Sequence, residues 1–298
     1  MFPGRFFSKK GVKKNAGEFV LWRAGREPAK RMEEKTETIR LFNIPVSPEA
    51  LPGSGRIYTV QGSVKGDGAS TVASNLAGLL ALSSPERVVL IDLDGYGTVR
   101  SRLGLPAGEC LVNILDWEDI HGPRDIARGV LAHSSGIMVI PGVIHYDHVE
   151  KVTPDLVFKM LTLLKESYDY IVIDSPPAGM ENSAWAAALV SDVILTVFRP
   201  DRVSLDLLNE NNGFMSRLGC QDRVYTVLNQ AGVPGGIRPG DVENKLSLNL
   251  IGMLPYSITV AEANNRRQLV VYARQKDNFT RALQLLADKI PDRKRVVS

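Results

Sequence analysis

The sequence predicts an α/β fold in which helices flank a predominantly parallel, doubly wound sheet. Short apolar runs, which are typical of buried strands, alternate with helical stretches from residue 56 onward. Several of these runs end in aspartate, asparagine or proline. Because open parallel sheets place ligands at the carboxyl ends of their strands, the sequence also predicts a binding site along that edge.

The apolar and helical stretches alternate regularly. The run at 87–93 is apolar almost throughout, as in a strand covered on both faces, whereas the helical stretches carry apolar residues three and four positions apart. We predict strands at 57–61, 87–93, 136–140, 168–174, 193–198, 224–228 and 250–254, and helices at 70–82, 123–132, 154–167, 204–218, 239–246 and 277–290. The apolar stripe of the last helix fits packing on the sheet better than membrane anchoring.

Three parts of the chain differ in composition. Residues 1–55 hold eleven Lys and Arg against six Glu, contain one short strand candidate at 19–22, and end in a linker rich in Pro and Gly. Residues 56–290 form the predicted α/β domain, and residues 291–298 are a basic tip. The basic N-terminal segment, which we expect to be flexible, suits an anionic partner such as DNA or a membrane surface, but a solvated tail is equally compatible with it.

Composition excludes several classes of protein. Apolar residues make up 44% and charged residues 23% of the chain, as in ordinary globular proteins, and no apolar run is long enough to span a bilayer. Cys110 and Cys220 lie far apart without metal-site spacing or a secretory signal before them, which indicates a cytoplasmic protein with free thiols. His145 and His148 lack further ligand spacing and are predicted to lie in a surface loop.

A glycine-rich loop follows the first predicted strand and precedes the first predicted helix. Loops of the G-x-x-x-x-G-K-[ST] type bind phosphates through converging backbone N–H groups, while their lysine reaches the phosphates and their hydroxyl holds Mg²⁺. Here Ser70 occupies the hydroxyl position and Ala69 the lysine position. The strand, loop and helix predict a sheet of the P-loop NTPase type, although a glycine turn that only packs strand on helix would look similar. The candidate cradle consists of Gly62, Lys65, Gly66, Asp67, Gly68, Ala69, Ser70 and Thr71.

Three aspartates and an asparagine end the predicted strands. Asp92 and Asp94 follow one apolar run, Asp174 follows another, and Asn229 follows a third. Mg²⁺ prefers hard oxygen ligands, so the Ser70 hydroxyl and the Asp174 carboxylate are chemically suitable metal ligands. Solvated carboxylates at strand ends and a turn-forming asparagine are the simpler alternatives.

The order of these motifs resembles the ParA/MinD family of deviant Walker ATPases over residues 56–290. The likeness consists of the glycine loop, the Asp-x-Asp strand end, a strand ending in Asp-Ser-Pro-Pro-Ala-Gly, a strand ending in Asn229 and a strand ending at Pro255. The loop without its lysine is most similar to the TadZ/CpaE-like branch of that family. Laid without gaps on the family's K-G-G-x-G-K-[ST]-T loop, the chain has Val64 at the signature lysine, Lys65 at the first glycine and Ala69 at the Walker lysine.

The resemblance implies a site for ATP and Mg²⁺ and a role for each matching residue. Asp94 and Asp92 would orient the attacking water and the outer shell of the metal, and Asp174 would hold the metal's water. Asn229 and Pro255 would border the base. The resemblance also implies a nucleotide-dependent homodimer that recruits a further protein, whose identity the sequence does not give.

The missing lysine predicts binding without efficient hydrolysis. A charge-assisted contact contributes about 1.5–3 kcal/mol, so its loss weakens nucleotide binding by about ten- to a hundredfold, and turnover suffers more. We also expect the Asp67 carboxylate to lie beside the anion and to weaken binding further. The chain is therefore interpreted as an ATP-binding switch or scaffold for positioning or assembling a structure such as a pilus or polar complex. The alternatives are a scaffold without nucleotide binding and an active chromosome or plasmid partitioning ATPase that binds DNA.

Overall fold

The computed structural model describes residues 47–48, 51–95, 97–106, 111, 122–245 and 249–291. Most of the basic N-terminal segment with its strand candidate at 19–22, Cys110 and most of the basic C-terminal tip therefore lie outside the described residues. Within them no helix is long and apolar enough to cross a membrane.

An eight-stranded sheet forms the centre of the described chain. Its spatial order is β3-β4-β2-β5-β1-β6-β7-β8, and every neighbouring pair is parallel except β3 and β4. The strands are β1 (Arg56–Gly62), β2 (Val88–Asp92), β3 (Leu131–Ala132), β4 (Met138–Ile140), β5 (Tyr170–Ser175), β6 (Val193–Phe198), β7 (Val224–Ala231) and β8 (Leu250–Pro255). The predicted fold class is confirmed, and the strand that leads into the glycine loop lies at the sheet's centre.

Ten α-helices are found in the described residues. They are α1 (Ala69–Ser83), α2 (Val99–Leu103), α3 (Pro123–Ile126), α4 (Pro154–Ser167), α5 (Asn182–Val190), α6 (Arg202–Leu218), α7 (Pro239–Lys245), α8 (Ile258–Asn265), α9 (Val270–Ala273) and α10 (Asn278–Lys289). Short 3-10 turns cover Ala127–Gly129, Tyr146–Lys151 and Gln221–Arg223. Helix α4 begins as predicted, because Thr153 accepts a hydrogen bond from the N–H of Leu156 and Pro154 occupies the first turn.

The sheet is buried on both faces because successive strand residues alternate between two apolar clusters. Val197 and Val227 pack in the cluster that contains α1 and α10, whereas the next residues, Phe198 and Leu228, pack in a second cluster with α6 and α7. This arrangement explains the apolar runs of the central strands. It also shows that the sheet is covered by helices on both sides, as a doubly wound sheet requires.

Two elements differ from the sequence prediction. The helix predicted at 123–132 is only one turn long, since the chain passes through a 3-10 turn and then pairs as β3, antiparallel to β4. Helix α5 lies between two predicted strands and was not predicted. Its residues from Ser183 to Val190 are all buried, so it has no polar face from which helical periodicity could be detected.

The chain ahead of β1 is attached to α4. The buried Lys165 ammonium donates hydrogen bonds to the carbonyl oxygens of Pro48, at 2.8 Å, and Leu51, at 3.3 Å. Gly55 approaches the same helix end so closely that a Cβ there would lie 2.3 Å from the Tyr168 carbonyl oxygen. The last residues of the predicted linker therefore pack against the domain.

Helix α10 uses its apolar stripe for packing. Phe279, Leu283 and Leu286 are buried in the cluster with α1, and Leu286 lies against Gly252 of β8. Leu285 is 63% exposed on the opposite side of the helix. Packing on the sheet therefore accounts for the stripe without membrane contact.

We predict that Leu283→Ala lowers the free energy of unfolding by about 2–5 kcal/mol, because it leaves a cavity in the core. Leu285→Ala, on the same helix, is expected to change it by less than about 0.5 kcal/mol. Urea denaturation of both variants followed by circular dichroism measures the difference. Equal stabilities of the two variants would show that α10 does not depend on this packing.

Candidate nucleotide-binding site

The glycine loop joins the carboxyl end of β1 to the first turn of α1. Gly66 and Gly68 have φ values of 105° and 95°, a region that glycine adopts without strain. Gly68 is the N-cap of α1, no side chain caps this end, and the first turn holds no acidic residue. The N–H groups of that turn lack intrahelical acceptors and form an electropositive cradle suited to an anion.

The Asp67 carboxylate supports the loop from inside the protein. It accepts hydrogen bonds from the Ser63 hydroxyl at 2.5 Å, the Val64 N–H at 2.9 Å and the Ser204 hydroxyl at 3.0 Å. Only 1% of Asp67 is exposed, and burial raises the pKa of its carboxyl in spite of these hydrogen bonds. These donors hold the carboxylate inside the domain, and its place beside a bound anion stays a prediction.

Asn229 also supports the loop. It lies inside β7 rather than after it, and its Nδ2 donates to the Asp67 carbonyl oxygen at 2.8 Å. The same amide approaches Gly68 so closely that a Cβ there would lie 2.3 Å from Nδ2. Pro255 ends β8 beside Ala231 of β7. Contact of Asn229 and Pro255 with a nucleotide base stays a prediction.

Asp92 and Asp174 form a buried pair of carboxyl groups beside the loop. They are register partners on the neighbouring strands β2 and β5, and each is at most 1% exposed. Burial raises the pKa of Asp92 to about 7, although the N–H groups of Val99 and Asp94 donate to its carboxylate. Burial also raises the pKa of Asp174, and the nearby charge of Asp92 raises it further.

Ser70 and Asp174 fit the predicted role of holding Mg²⁺. A hydrogen bond from Ser70 lowers the pKa of Asp174 but is outweighed by burial, and Oδ2 of Asp174 is buried without a partner. An unpartnered buried carboxylate oxygen beside a hydroxyl is a suitable environment for a hard cation. No cluster of three or more His, Cys, Asp or Glu that could hold a metal occurs in the part of the chain that the structure describes. Mg²⁺ needs no such cluster, because it is usually held by one or two carboxylates together with phosphates and water.

Lys65 and Asp94 form an ion pair at the mouth of the site. Lys65 Nζ lies 2.8 Å from Asp94 Oδ1, and both side chains are partly exposed. Glu181, in the loop before α5, interacts electrostatically with this ion pair. Burial raises the pKa of the Glu181 carboxyl, the charge of Asp94 raises it further, and the charge of Lys65 lowers it. Sequence reasoning missed Glu181 because it lies seven residues after Asp174, beyond the Asp-Ser-Pro-Pro-Ala-Gly motif.

Arg102 of α2 brings a second positive charge to the first turn of α1. Its Nη1 donates to the Thr71 hydroxyl at 2.9 Å, and its Nε donates to the Thr98 hydroxyl at 3.2 Å. Burial is the main cause that raises the pKa values of Asp92 and Asp174. The positive charge of Arg102 opposes this effect and lowers both pKa values. No sequence signal distinguished Arg102 from a solvated loop arginine. Ser63 was also missed, although its position four residues before Asp67 is compatible with a local turn bond.

The fold brings most of the predicted site residues together at one edge of the sheet. Contacts join Ser70 to Asp174, Lys65 to Asp94 and Asn229 to the backbone of the loop. The two histidines lie in and beside a 3-10 turn with their rings 5.6 Å apart, and they form no recognisable metal cluster with the described residues. A glycine loop between a central parallel strand and an uncapped helix, with buried carboxylates on the neighbouring strands, defines a P-loop nucleotide-binding domain.

Comparison with known proteins agrees with this class. A family model described as an AAA domain matches residues 55–214, which is more than half of the chain. MinD of Thermotoga maritima, a septum site-determining protein, is 25% identical over 220 residues, covering 71% of this chain and 79% of that protein. The chain belongs to the ParA/MinD family of P-loop ATPases.

Two solved structures show the same fold. The cell division ATPase MinD of Pyrococcus furiosus has a TM-score of 0.69 and 24% identity, with 79% of this chain and 98% of that chain covered. MinD of Pyrococcus horikoshii, solved as a complex with Mg-ADP, has a TM-score of 0.68 and 20% identity, with 82% and 98% covered. Each resembles the described domain in architecture.

We predict that Asp67→Ala destabilises the protein by about 1–3 kcal/mol, because it leaves buried donors without an acceptor. The matched control is Asp206→Ala, which removes an exposed ion pair with Arg202 and should change the free energy of unfolding by less than about 1 kcal/mol. Thermal and urea denaturation measure both values. An unchanged stability in Asp67→Ala would contradict the supporting role.

We predict that stability falls as pH rises from about 4 through about 7 when no metal is present. The folded protein keeps protons on Asp92 and Asp174, whose pKa values are raised, whereas the unfolded chain releases them near pH 4. Each group contributes a slope of at most about 1.4 kcal/mol per pH unit. Urea denaturation in EDTA across this range measures the slope.

Asp92→Asn should flatten this dependence, because the amide does not titrate. Asp206→Asn, at an exposed site, should preserve it. A wild-type stability that stayed constant or increased over this range would contradict the raised pKa values.

Proposed function

We propose that this protein is an ATP- and Mg²⁺-binding switch or scaffold with weak hydrolysis. The observation that supports it best is the uncapped first turn of α1 beside Ser70 and Asp174, where buried Oδ2 of Asp174 lacks a partner. The N–H groups of the turn would bind phosphate oxygens, and Ser70 with Asp174 would hold the metal. Bound Mg²⁺ would neutralise charge on the phosphates. The complex of Pyrococcus horikoshii MinD with Mg-ADP supports the choice of ligand class.

Two cations near the loop would partly replace the lysine missing at Ala69. Arg102 lies against Thr71 in the first turn of α1, and Lys65 lies at the mouth of the loop. Lys65 is paired with Asp94, so its charge is shared between a carboxylate and any bound phosphate. Neither side chain projects from the Ala69 position. This arrangement favours nucleotide binding over the charge neutralisation that efficient phosphoryl transfer needs.

The Asp94 carboxylate is the candidate for orienting a water molecule, and Asp92 holds the backbone of Asp94 in place. The N–H of Asp94 donates to Asp92 Oδ1 at 3.2 Å, which fixes the backbone that carries the Asp94 side chain. While Lys65 holds Asp94, however, one oxygen of this carboxylate is occupied by the ammonium group, which leaves the carboxylate less available to a water molecule. The ion pair is a second reason for proposing slow hydrolysis.

A homodimer or a partner complex would form over the same edge of the sheet. Exposed large apolar side chains follow the carboxyl ends of several strands: Ile144 after β4, Met180 after β5, Val203 and Leu207 in α6 after β6, and Tyr256 and Ile258 after β8. Apolar side chains grouped around a binding site are typical of an interaction surface. We propose that bound nucleotide completes this surface and that a second copy of the chain occupies it.

We further propose that the dimer acts in the cytoplasm, at a pole or at the membrane periphery, to position or assemble a structure such as a pilus or polar complex. The similarity to a septum site-determining protein supports a positioning role in general terms.

The second candidate is a partitioning ATPase that binds DNA. The excess of eleven basic over six acidic side chains in residues 1–55 favours it.

We predict that ATP with Mg²⁺ binds and that Asp174→Ala weakens this binding at least about tenfold, because a charged metal partner is lost. Arg102→Ala should weaken it by a similar factor, whereas Arg100→Ala, on the same helix, should not.

Ala69→Lys should tighten binding by about ten- to a hundredfold and increase turnover. Calorimetric titration with ATP and Mg²⁺ and a phosphate-release assay measure both quantities.

The outcomes separate the candidate functions. Absence of ATP binding in both the wild type and Ala69→Lys would identify a scaffold without nucleotide and overturn the proposal. Fast phosphate release by the wild type, together with salt-sensitive DNA binding, would identify a partitioning ATPase instead.

A further inference from the structure

A cavity lies outside the candidate nucleotide site. It has a volume of about 460 Å³ and is bounded by α8, α9, the chain between them, and the turn between β3 and β4. The Tyr272 hydroxyl fixes one wall, since it lies 2.7 Å from the Ser135 carbonyl oxygen and 3.0 Å from the Gly78 carbonyl oxygen. None of the residues that line this cavity belongs to the glycine loop or to the buried carboxyl pair. Its size is within the range of small-molecule sites.

The cavity has a positive lining. Arg266, Arg267 and Arg274 line it, and Glu262 is the one acidic residue among the lining residues, which gives a net charge of +2 (3 − 1). His133 adds no charge at neutral pH, because burial lowers the pKa of its ring. In the described part of the chain, no ion pair or side-chain hydrogen bond engages Arg266 or Arg267. These two guanidinium groups therefore retain their hydrogen-bonding capacity for a ligand.

The backbone at Arg267 is in a conformation that normally selects glycine. Its φ is 57°, directly after the end of α8, where the N–H of Arg267 donates to Asn264 and the N–H of Gln268 donates to Ala263. Helices commonly place glycine at this left-handed position, because a side chain there is strained. The arginine stem also packs on Gly104, where a Cβ would lie 3.2 Å from Arg267 Cδ. A strained backbone at an arginine on the rim of a cavity motivates the hypothesis that its side chain is used there.

We propose that this cavity binds a small soluble molecule that bears a phosphoryl group. Guanidinium groups present paired N–H donors that match the oxygens of phosphate in a bidentate geometry. A volume of about 460 Å³ exceeds what one phosphate fills, so an organic part accompanies the anion. Buried Leu269 and the Tyr272 ring offer it an apolar wall. The site lies apart from the nucleotide cradle, so the proposal does not depend on ATP binding.

The test uses inorganic pyrophosphate as a probe, titrated into the full-length protein and followed by calorimetry and by NMR. Arg266→Gln with Arg274→Gln should weaken pyrophosphate binding at least about tenfold, since two charge-assisted contacts are lost. The matched control, Arg281→Gln on α10, removes an exposed arginine that does not line the cavity and should have no effect. Affinity for ATP with Mg²⁺ should be the same in all of these variants.

Arg267→Gly separates binding from folding. Glycine adopts a φ of 57° without strain, so this variant should unfold at the same or a higher temperature than the wild type while it binds pyrophosphate at least about tenfold more weakly. Loss of stability together with loss of binding would assign Arg267 a structural role and contradict the proposal.

Other outcomes overturn the proposal directly. If pyrophosphate binds with equal affinity to wild type and to the arginine variants, it binds elsewhere, such as the nucleotide cradle. If pyrophosphate fails to bind while a DNA duplex or phosphatidylglycerol vesicles bind in a manner that depends on these arginines, the cavity is part of a polyanion surface rather than a small-molecule site.

Discussion

The candidate nucleotide site depends on the hydrogen bonds of the buried Asp67 carboxylate. The carboxylate accepts hydrogen bonds from Ser63 and Val64 within the loop and from Ser204 of α6. The backbone carbonyl oxygen of Asp67 accepts a further hydrogen bond from Asn229 of β7. The loop is thereby fixed against two different elements without any contribution from a ligand. Because a preorganised cradle loses less conformational entropy when it binds, under the proposed function this support would offset part of the affinity lost with the lysine.

The balance of charge in the candidate site is the physical basis for the proposal of nucleotide binding with weak hydrolysis. Asp92, Asp94, Asp174 and Glu181 all lie near the loop, whereas the nearby cations are Lys65 and Arg102. The buried pair Asp92 and Asp174 reduces its repulsion by retaining protons, and Asp94 reduces it by pairing with Lys65. Under the proposed function, a bound metal ion and polyphosphate would alter both arrangements at once, and nucleotide state would thereby change the charge at an edge lined by exposed apolar side chains.

The sequence predicted the fold and the position of the site because both depend on local patterns. The apolar runs of the strands and the glycine loop located the edge where Asp92, Asp94 and Asp174 meet. It did not predict the bond between Asp67 and Ser204 or the role of Arg102, since these bonds join residues 137 and 31 positions apart. Helix α5 was missed for a different reason: Ser183 to Val190 are buried on every side, so no periodicity marks them. Hydrogen-bond partners that are far apart in the sequence cannot be predicted from the spacing of neighbouring residues.

The hydrogen bonds from Lys165 to Pro48 and Leu51 have a consequence for chemical labelling. The Lys165 residue is only 6% exposed and its amine donates to the Pro48 and Leu51 carbonyl oxygens, so amine-reactive reagents reach it only when these two residues detach from α4. Lysines at the surface react regardless of that event. The rate at which Lys165 is acylated therefore reports how often the chain ahead of β1 separates from the domain, and it does so without any added probe.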